Sequence, residues 1–248
     1  MLQKHPSIVS EVLPTCEKAI TDKKKTPDTR ANAAWCMGLM DERAVPALIK
    51  VLREDSEIRG AALRTLEELG PKARKAVPDI VRVMIDEKET RIIRMSALSA
   101  LRVMLEKHPS LIAEALPICE KVLTDKKIPA KTRADVMSCL SRMDERAVPA
   151  LVKVVNGDRE ILGAITLQEL ALITLQQLGP KARKAVPDII RVMIDEKKTP
   201  NIRIRAIQAL GEIGPGAQEA VPFLEKGFNN SILDSLAKNA LKKITQKP

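Results

Sequence analysis

Aromatic residues are nearly absent from this sequence. Among its 248 residues only Trp35, Phe223 and Phe228 are aromatic, and there is no tyrosine. Sandwiches and barrels rely on aromatic and β-branched strands, so the scarcity argues against both classes. It also argues against proteins that stack single-stranded nucleic acid on aromatic side chains. Apolar residues still make up 45% of the chain, which is enough for a core and argues against disorder.

Catalytic, metal-binding and membrane-spanning patterns are also missing. The two histidines, His5 and His108, each precede a proline, and no P-loop, nucleophile elbow or Gly-rich cofactor turn occurs. We therefore predict that the protein is not an enzyme and that it binds no cofactor. Four widely spaced cysteines without a C-x-x-C pattern predict reduced core thiols in a cytoplasmic protein. No targeting segment or 18-residue apolar run is visible, so no membrane contact is expected.

The most extensive pattern in the sequence is a tandem duplication. Residues 41–48 (DERAVPAL) recur at 144–151, and residues 70–80 (GPKARKAVPDI) recur at 179–189. The second pair is offset by six residues more than the first, which places an insertion between about 151 and 179. Internal repetition on this scale is the signature of a repeat protein.

Within each copy a shorter unit of two apolar-periodic segments recurs. Residues 44–52 and 58–70 carry apolar side chains at helical spacing. Gly70, Gly179 and Gly214 stand where helices should end, and each is followed by proline, which suits the start of the next helix. The pattern predicts seven helical hairpins, at residues 5–40, 41–70, 71–106, 107–143, 144–179, 180–214 and 215–248.

These motifs resemble HEAT repeats, particularly the bacterial type found in the phycobilisome-lyase-like group. Two family features carry the resemblance: a proline inside each first helix, and an aspartate before the second helix with an arginine inside it. The prolines are Pro14, Pro46, Pro78, Pro117, Pro149, Pro187 and Pro222; the pairs are Asp22 and Arg30, Asp55 and Arg59, Asp86 and Arg94, Asp125 and Arg133, and Asp195 and Arg203.

The resemblance implies an all-α, right-handed α-α superhelix of the HEAT/armadillo type with about seven hairpins. We expect one solenoid domain over residues 1–248, with copies at 3–106 and 107–214 and a capping hairpin at 215–248. The family also contains metal hydroxylases and DNA glycosylases, but their His-Glu pairs and aromatic base-holding residues are missing here. We interpret the arginine series as structural ties to neighbouring turns rather than as a phosphate-binding ladder.

The second helices should present a shared face, the expected concave side. Helical spacing places a row of small, polar and apolar side chains on it, which suits a protein or peptide partner better than phosphates. The alternative is an ordinary solvated face. Trp35 is either an interface anchor or part of the N-terminal cap. The candidate partner-binding residues are Trp35, Arg64, Met95, Arg102, Ile173 and Gln208.

The insertion and the net charge give two further predictions. Residues 159–178 are predicted to form one long helix that is apolar nearly all round. Such a helix would either form a homodimer or dock a partner, or a neighbouring hairpin would repack against it. The net charge of +10 includes two repeated clusters after Gly-Pro, which are candidate anion sites or merely a solvated edge. They consist of Lys72, Arg74, Lys75, Lys181, Arg183 and Lys184.

Together these features predict a non-enzymatic scaffold that binds a protein or peptide along the second-helix face. The alternative is sequence-independent nucleic-acid binding through the basic clusters.

Overall fold

A computed structural model describes most of the chain and divides it into two compact units. The first unit runs from Met1 to Ile118 and the second from Cys119 to Pro248. The single solenoid domain expected over residues 1–248 stays a prediction. The described residues are 6–40, 42–141, 143–157, 161–162 and 165–246.

The first unit consists of consecutive helical hairpins. After the first hairpin, the first helix of each hairpin is preceded by a short 3-10 helix, at Glu42–Ala44, Gly70–Ala76 and Pro109–Leu111. The α-helices are α1 (Pro6–Thr21), α2 (Pro27–Gly38), α3 (Val45–Glu54), α4 (Arg59–Leu69), α5 (Val77–Ile85), α6 (Arg91–Lys107) and α7 (Ile112–Thr124), the last of which ends in the second unit.

The second unit repeats this arrangement and adds a small β-pair. Its 3-10 helices lie at Glu145–Ala147, Gly179–Ala185 and Gly214–Ala220. Its remaining elements are α8 (Ala130–Leu140), α9 (Val148–Val155), β1 (Ile161–Leu162), β2 (Ile165–Thr166), α10 (Leu167–Leu178), α11 (Val186–Ile194), α12 (Pro200–Ile213), α13 (Val221–Lys226) and α14 (Ser231–Thr245). Each of the seven predicted hairpins thus contains two α-helices, which confirms the all-α prediction.

Glycine ends three of the second helices as predicted. Gly70, Gly179 and Gly214 have φ values of 56°, 55° and 66°, a region that side chains with a Cβ rarely adopt. At each of them the glycine N–H bonds back to the last helical turn. The chain therefore leaves the helix at a defined point and enters the next 3-10 helix through the following proline.

All seven predicted prolines lie within the first α-helix of a hairpin, at one of two places. Pro14 and Pro117 lie inside α1 and α7, but the other five are the second residue of an α-helix that follows a 3-10 segment. Proline lacks an N–H and fits the first turn of a helix, where that donor has no partner within the helix. The basic clusters accordingly lie on the 3-10 helices and not in the first α-helical turns.

Aliphatic side chains fill the space between hairpins, and second helices approach one another closely. Leu48, Leu63 and Leu101 are fully buried in the first unit. A Cβ added to Gly38 on α2 would lie 3.0 Å from Thr65 Cγ2 on α4. One added to Gly211 on α12 would lie 3.2 Å from the Ala240 Cα on α14. Such short distances leave no room for rings, which explains why the aromatic residues are few.

The predicted Asp–Arg pairs within hairpins are wrong in the first hairpin. Arg30 is 1% exposed and pairs with Asp55, which belongs to the following hairpin. It also binds Glu57 Oε2 at 2.9 Å and donates from Nε to the Ile20 carbonyl at 3.2 Å. The guanidinium reaches across the layer because its long stem allows it to, so it connects consecutive repeats as a buried, hydrogen-bonded pair.

Four of the five aspartates in the predicted pairs close a turn. In four hairpins the carboxylate accepts the N–H two residues later, at 2.9–3.0 Å, and so closes a turn. These residues are Asp22, Asp86, Asp125 and Asp195. Three arginines of the series instead donate to a carbonyl ten residues earlier, as Arg133 does to Leu123 and Arg203 does to Met193. These carbonyl contacts agree with the interpretation of the arginines as structural ties to neighbouring turns.

Candidate functional site

The second helices of the first unit expose apolar side chains at the predicted positions. Trp35 on α2 is 53% exposed and Met95 on α6 is 46% exposed. Ile92, one turn before Met95, is 78% exposed, although sequence analysis did not single it out. Arg64 is exposed on α4, which packs between α2 and α6. The exposure of Trp35 argues against the alternative in which its ring is packed into the N-terminal cap.

Arg102 also lies on α6, where its side chain is half-buried. Its Nε is buried and has no hydrogen-bond partner among the described residues. A buried donor without a partner costs free energy. We call the exposed surface formed by Trp35, Arg64, Ile92 and Met95 the first-unit face.

The equivalent surface of the second unit is less exposed. Ile173 on α10 and Gln208 on α12 are both half-buried. Gln208 already accepts a hydrogen bond at 3.1 Å from Nη1 of Arg205 on the same helix. At the positions equivalent to Trp35 and Met95 stand the half-buried Ser138 and Ile204. The predicted partner-binding residues therefore fall into two sets, and each unit presents its own.

The predicted long helix over residues 159–178 is wrong. Residues 161–162 pair with 165–166 as antiparallel strands, and α10 begins only at Leu167. Thr166 Oγ1 accepts the Glu169 N–H at 3.1 Å, while Glu169 accepts the Thr166 N–H at 2.6 Å. This capping box fixes the helix start. Residues 158–160 and 163–164 of the predicted helix lie outside the described residues.

The apolar residues of the insertion are mostly packed within their own unit. Leu172 and Leu175 are fully buried, Leu167 is 3% exposed, and Ile173 is half-buried. Gln168 donates from Nε2 to the carbonyl oxygens of Val155 at 3.0 Å and Gly157 at 2.5 Å, which ties α10 to the end of α9. Local repacking thus accounts for these side chains, and the surface expected for dimerisation is much reduced.

Both basic clusters are exposed. Lys72, Arg74 and Lys75 extend from the 3-10 helix before α5, and Lys181, Arg183 and Lys184 from the identical segment before α11. Among the described residues none of the six forms an ion pair or a hydrogen bond to a side chain. The second cluster lies near Asp144, whose pKa is lowered mainly by its hydrogen bond from Arg146 and slightly by the charge of Lys181.

Cysteine and metal chemistry add no further site. None of the four cysteines, all of which the structure describes, forms a disulfide, and burial raises the pKa of the Cys119 thiol to about 12. Within the described ranges, no three His, Cys, Asp or Glu side chains are grouped so that they could hold a metal ion. No helix in the same ranges is both long enough and apolar enough to cross a membrane.

The stacked helical hairpins define an α-solenoid repeat protein. A HEAT-repeat family model matches residues 11–102, and a PBS lyase HEAT-like repeat model matches residues 202–230. These two segments of the chain are therefore similar to HEAT repeats. A comparison with the curated proteins gave no match.

Solved structures of karyopherins share the fold. Kap121p bound to the SUMO protease Ulp1p matches with a TM-score of 0.64 and 12% identity over 95% of this chain and 29% of that one. Importin beta matches with a TM-score of 0.54 and 12% identity, over 98% of this chain and 36% of that one. The chain therefore spans little more than a third of these proteins at most.

Human deoxyhypusine hydroxylase is also similar, with 21% identity over 94% of this chain and 84% of that one. Its TM-score of 0.44 is too low to support an argument about fold or activity.

Proposed function

We propose that the protein is a non-enzymatic scaffold that binds a protein or peptide through the first-unit face. The observation that carries the proposal is the exposure of Trp35 on α2 and of Ile92 and Met95 on α6, the second helices on either side of α4. Large apolar side chains exposed together are unfavourable in water and are typical of interaction surfaces. Tryptophan and arginine are the residues most often found at the energetic centre of interfaces, and Trp35 and Arg64 supply both.

The remaining predicted partner residues extend this proposal. Arg102 would continue the surface along α6. Ile173 and Gln208 belong to the second unit, where half-burial leaves each of them less area to offer a partner. The karyopherin structures support the proposal by analogy only, because a HEAT-type stack binds a protein in Kap121p complexed with Ulp1p. The free thiols are consistent with the proposed cytoplasmic location.

A matched set of variants tests the scaffold proposal. Trp35→Ala and Met95→Ala should each weaken the binding of a co-purifying partner, and Trp35→Ala should do so by about 30-fold or more if it is an interface anchor. Ser138→Ala and Ile204→Ala change the equivalent positions of the second unit and should leave binding unchanged. Circular dichroism of all four should match the parent. Unchanged binding for both Trp35→Ala and Met95→Ala would refute the proposed surface.

Sequence-independent nucleic-acid binding is the second candidate function. It is supported by the exposure of all six cations of the two basic clusters. A salt titration with duplex DNA tests it, because each phosphate contacted should add about −0.9 to the log–log slope. No retention of DNA or RNA at low salt would eliminate this candidate. A homodimer through residues 159–178 remains a prediction that sedimentation equilibrium can test.

A further inference from the structure

The first basic cluster borders an open groove in the first unit. The groove has a volume of about 610 Å³ and lies between α3 and the 3-10 helix that precedes α5. Its floor includes the exposed Pro46 and the half-buried Ile49, and Lys72, Arg74 and Lys75 form one rim. Volumes of roughly 300–1,000 Å³ are typical of sites that hold a small ligand or a few residues of a peptide.

The charges around the groove are unevenly compensated. Arg53 also borders it, but its Nε and Nη2 donate to the Asp79 carboxylate at 2.8 and 2.9 Å. Lys72, Arg74 and Lys75 have no such partner among the described residues. The rim therefore carries three positive charges that a ligand is free to neutralise, and these charges lie beside apolar carbon.

The composition of the groove distinguishes between two anionic partners. Pro46 and Ile49 offer no hydrogen bond to phosphate or sugar, and no aromatic ring lines the groove for a base to stack on. Glu42 adds a carboxylate at one end, which repels any anion there and confines the negative charges of a ligand to the side with the three cations. A peptide that carries both carboxylates and an apolar side chain complements these cations and the apolar carbon beside them.

We propose that this groove binds an acidic protein segment in which carboxylates flank an apolar side chain. Pro46, Ile49 and Arg53 follow one face of α3, and seven residues of helix cover about 10 Å. That distance equals about three residues of an extended chain at roughly 3.3 Å each. The central residue would rest its apolar side chain on Ile49, while the carboxylates beside it reach the rim.

This site is separate from the first-unit face. The groove is formed by a first helix and a 3-10 segment, whereas the first-unit face is formed by second helices. The proposal therefore does not depend on the proposed function, and a variant at Trp35 should leave it unaffected.

The second unit supplies an internal control. Lys181, Arg183 and Lys184 occupy the same seven-residue segment, but Ile49 and Arg53 are replaced by Val152 and Asn156. The same cations thus have different surroundings, and reversing them changes the net charge of the protein by the same amount.

The experiment is fluorescence anisotropy with the full chain and a short labelled peptide in which glutamates flank a leucine. Reversing the charge of the rim with the triple variant Lys72→Glu, Arg74→Glu and Lys75→Glu should weaken peptide binding by about tenfold or more. Lys181→Glu, Arg183→Glu and Lys184→Glu together should change it less than twofold. Ile49→Thr should weaken binding severalfold at high salt, where the apolar contact remains and the charges are screened.

Three results would overturn the proposal. Equal losses from the two triple variants would mean that the peptide responds to net charge and not to the groove. If a peptide with alanine in place of leucine bound with equal affinity, the proposed apolar contact would not contribute to binding. If a labelled oligothymidylate bound more tightly than the peptide, and if reversing the charges of Lys72, Arg74 and Lys75 abolished that binding, the rim would be assigned to nucleic acid. Unchanged circular dichroism in each variant shows that the fold is intact.

Discussion

The two copies of the duplicated sequence build the same hairpins but hold them together differently. In the first unit Arg59 is buried at the start of α4 and pairs with Glu89, which lies in the turn of the following hairpin. In the second unit the equivalent residue is Gln168, which binds the loop carbonyls of its own hairpin. The first arrangement connects neighbouring repeats, whereas the second stabilises a single repeat and its insertion.

The two units differ in their surfaces as well as in these internal contacts. Arg64 of the first unit corresponds to Ile173 of the second, and Trp35 corresponds to Ser138. The first unit exposes Trp35 and Arg64, while the equivalent Ser138 and Ile173 of the second unit are half-buried. The comparison indicates that a repeat can keep its core and change its surface.

We expect the largest loss of stability from a variant that breaks the contact between repeats in the first unit. Arg59→Met removes a buried charge and leaves Glu89, which is 12% exposed, without its partner. Removing one member of a buried pair costs about 3–5 kcal/mol, and partial solvation of Glu89 should place this case at the lower end. Gln168→Met removes two neutral hydrogen bonds and should cost about 1–3 kcal/mol.

Urea unfolding of the full chain, followed by circular dichroism, measures both variants. Glu89→Gln combined with Arg59→Met is the control, because it removes the unpaired charge and should recover part of the loss. A larger loss for Gln168→Met than for Arg59→Met would contradict the proposed difference between the units.

A smaller effect should come from making the second unit resemble the first. Asn156 donates to Asp188 Oδ1 at 2.9 Å, whereas the equivalent Arg53 makes two bonds to the equivalent Asp79. Asn156→Arg should therefore raise the melting temperature slightly, since an exposed charged pair contributes little in water and is screened by salt. Differential scanning calorimetry at low and high salt measures the rise. An increase that persists unchanged at high salt would argue against an ionic origin.

Much of the fold follows from short-range sequence signals. Gly70 followed by Pro71 predicts a helix end and a new start, and both are found, because the glycine φ and the missing proline N–H are local properties. The start of α10 was also readable from the sequence. Thr166 and Glu169 have the spacing of a capping box, but the apolar residues around them suggested one continuous helix instead.

Contacts between repeats were less predictable. The motif placed Asp22 beside Arg30, yet Arg30 binds Asp55 and Glu57 of the next hairpin, because a long side chain selects its partner by three-dimensional distance. The groove beside Lys72 was equally hidden, since its floor arises only when α3 packs beside the 3-10 segment. The exposed Ile92 lies one helical turn from Met95, and extending the predicted row by that turn would have included it.

Site-specific photo-crosslinking tests the central claim, that the first-unit face binds a protein partner, most directly. A benzophenone amino acid would replace Trp35 in one protein and the equivalent Ser138 in another, each irradiated in an extract of the cells that express the protein. We expect a discrete adduct from position 35 that disappears when Met95→Glu is added, and no adduct from position 138. Equal adducts from both positions, or an adduct at position 35 that survives Met95→Glu, would contradict the claim.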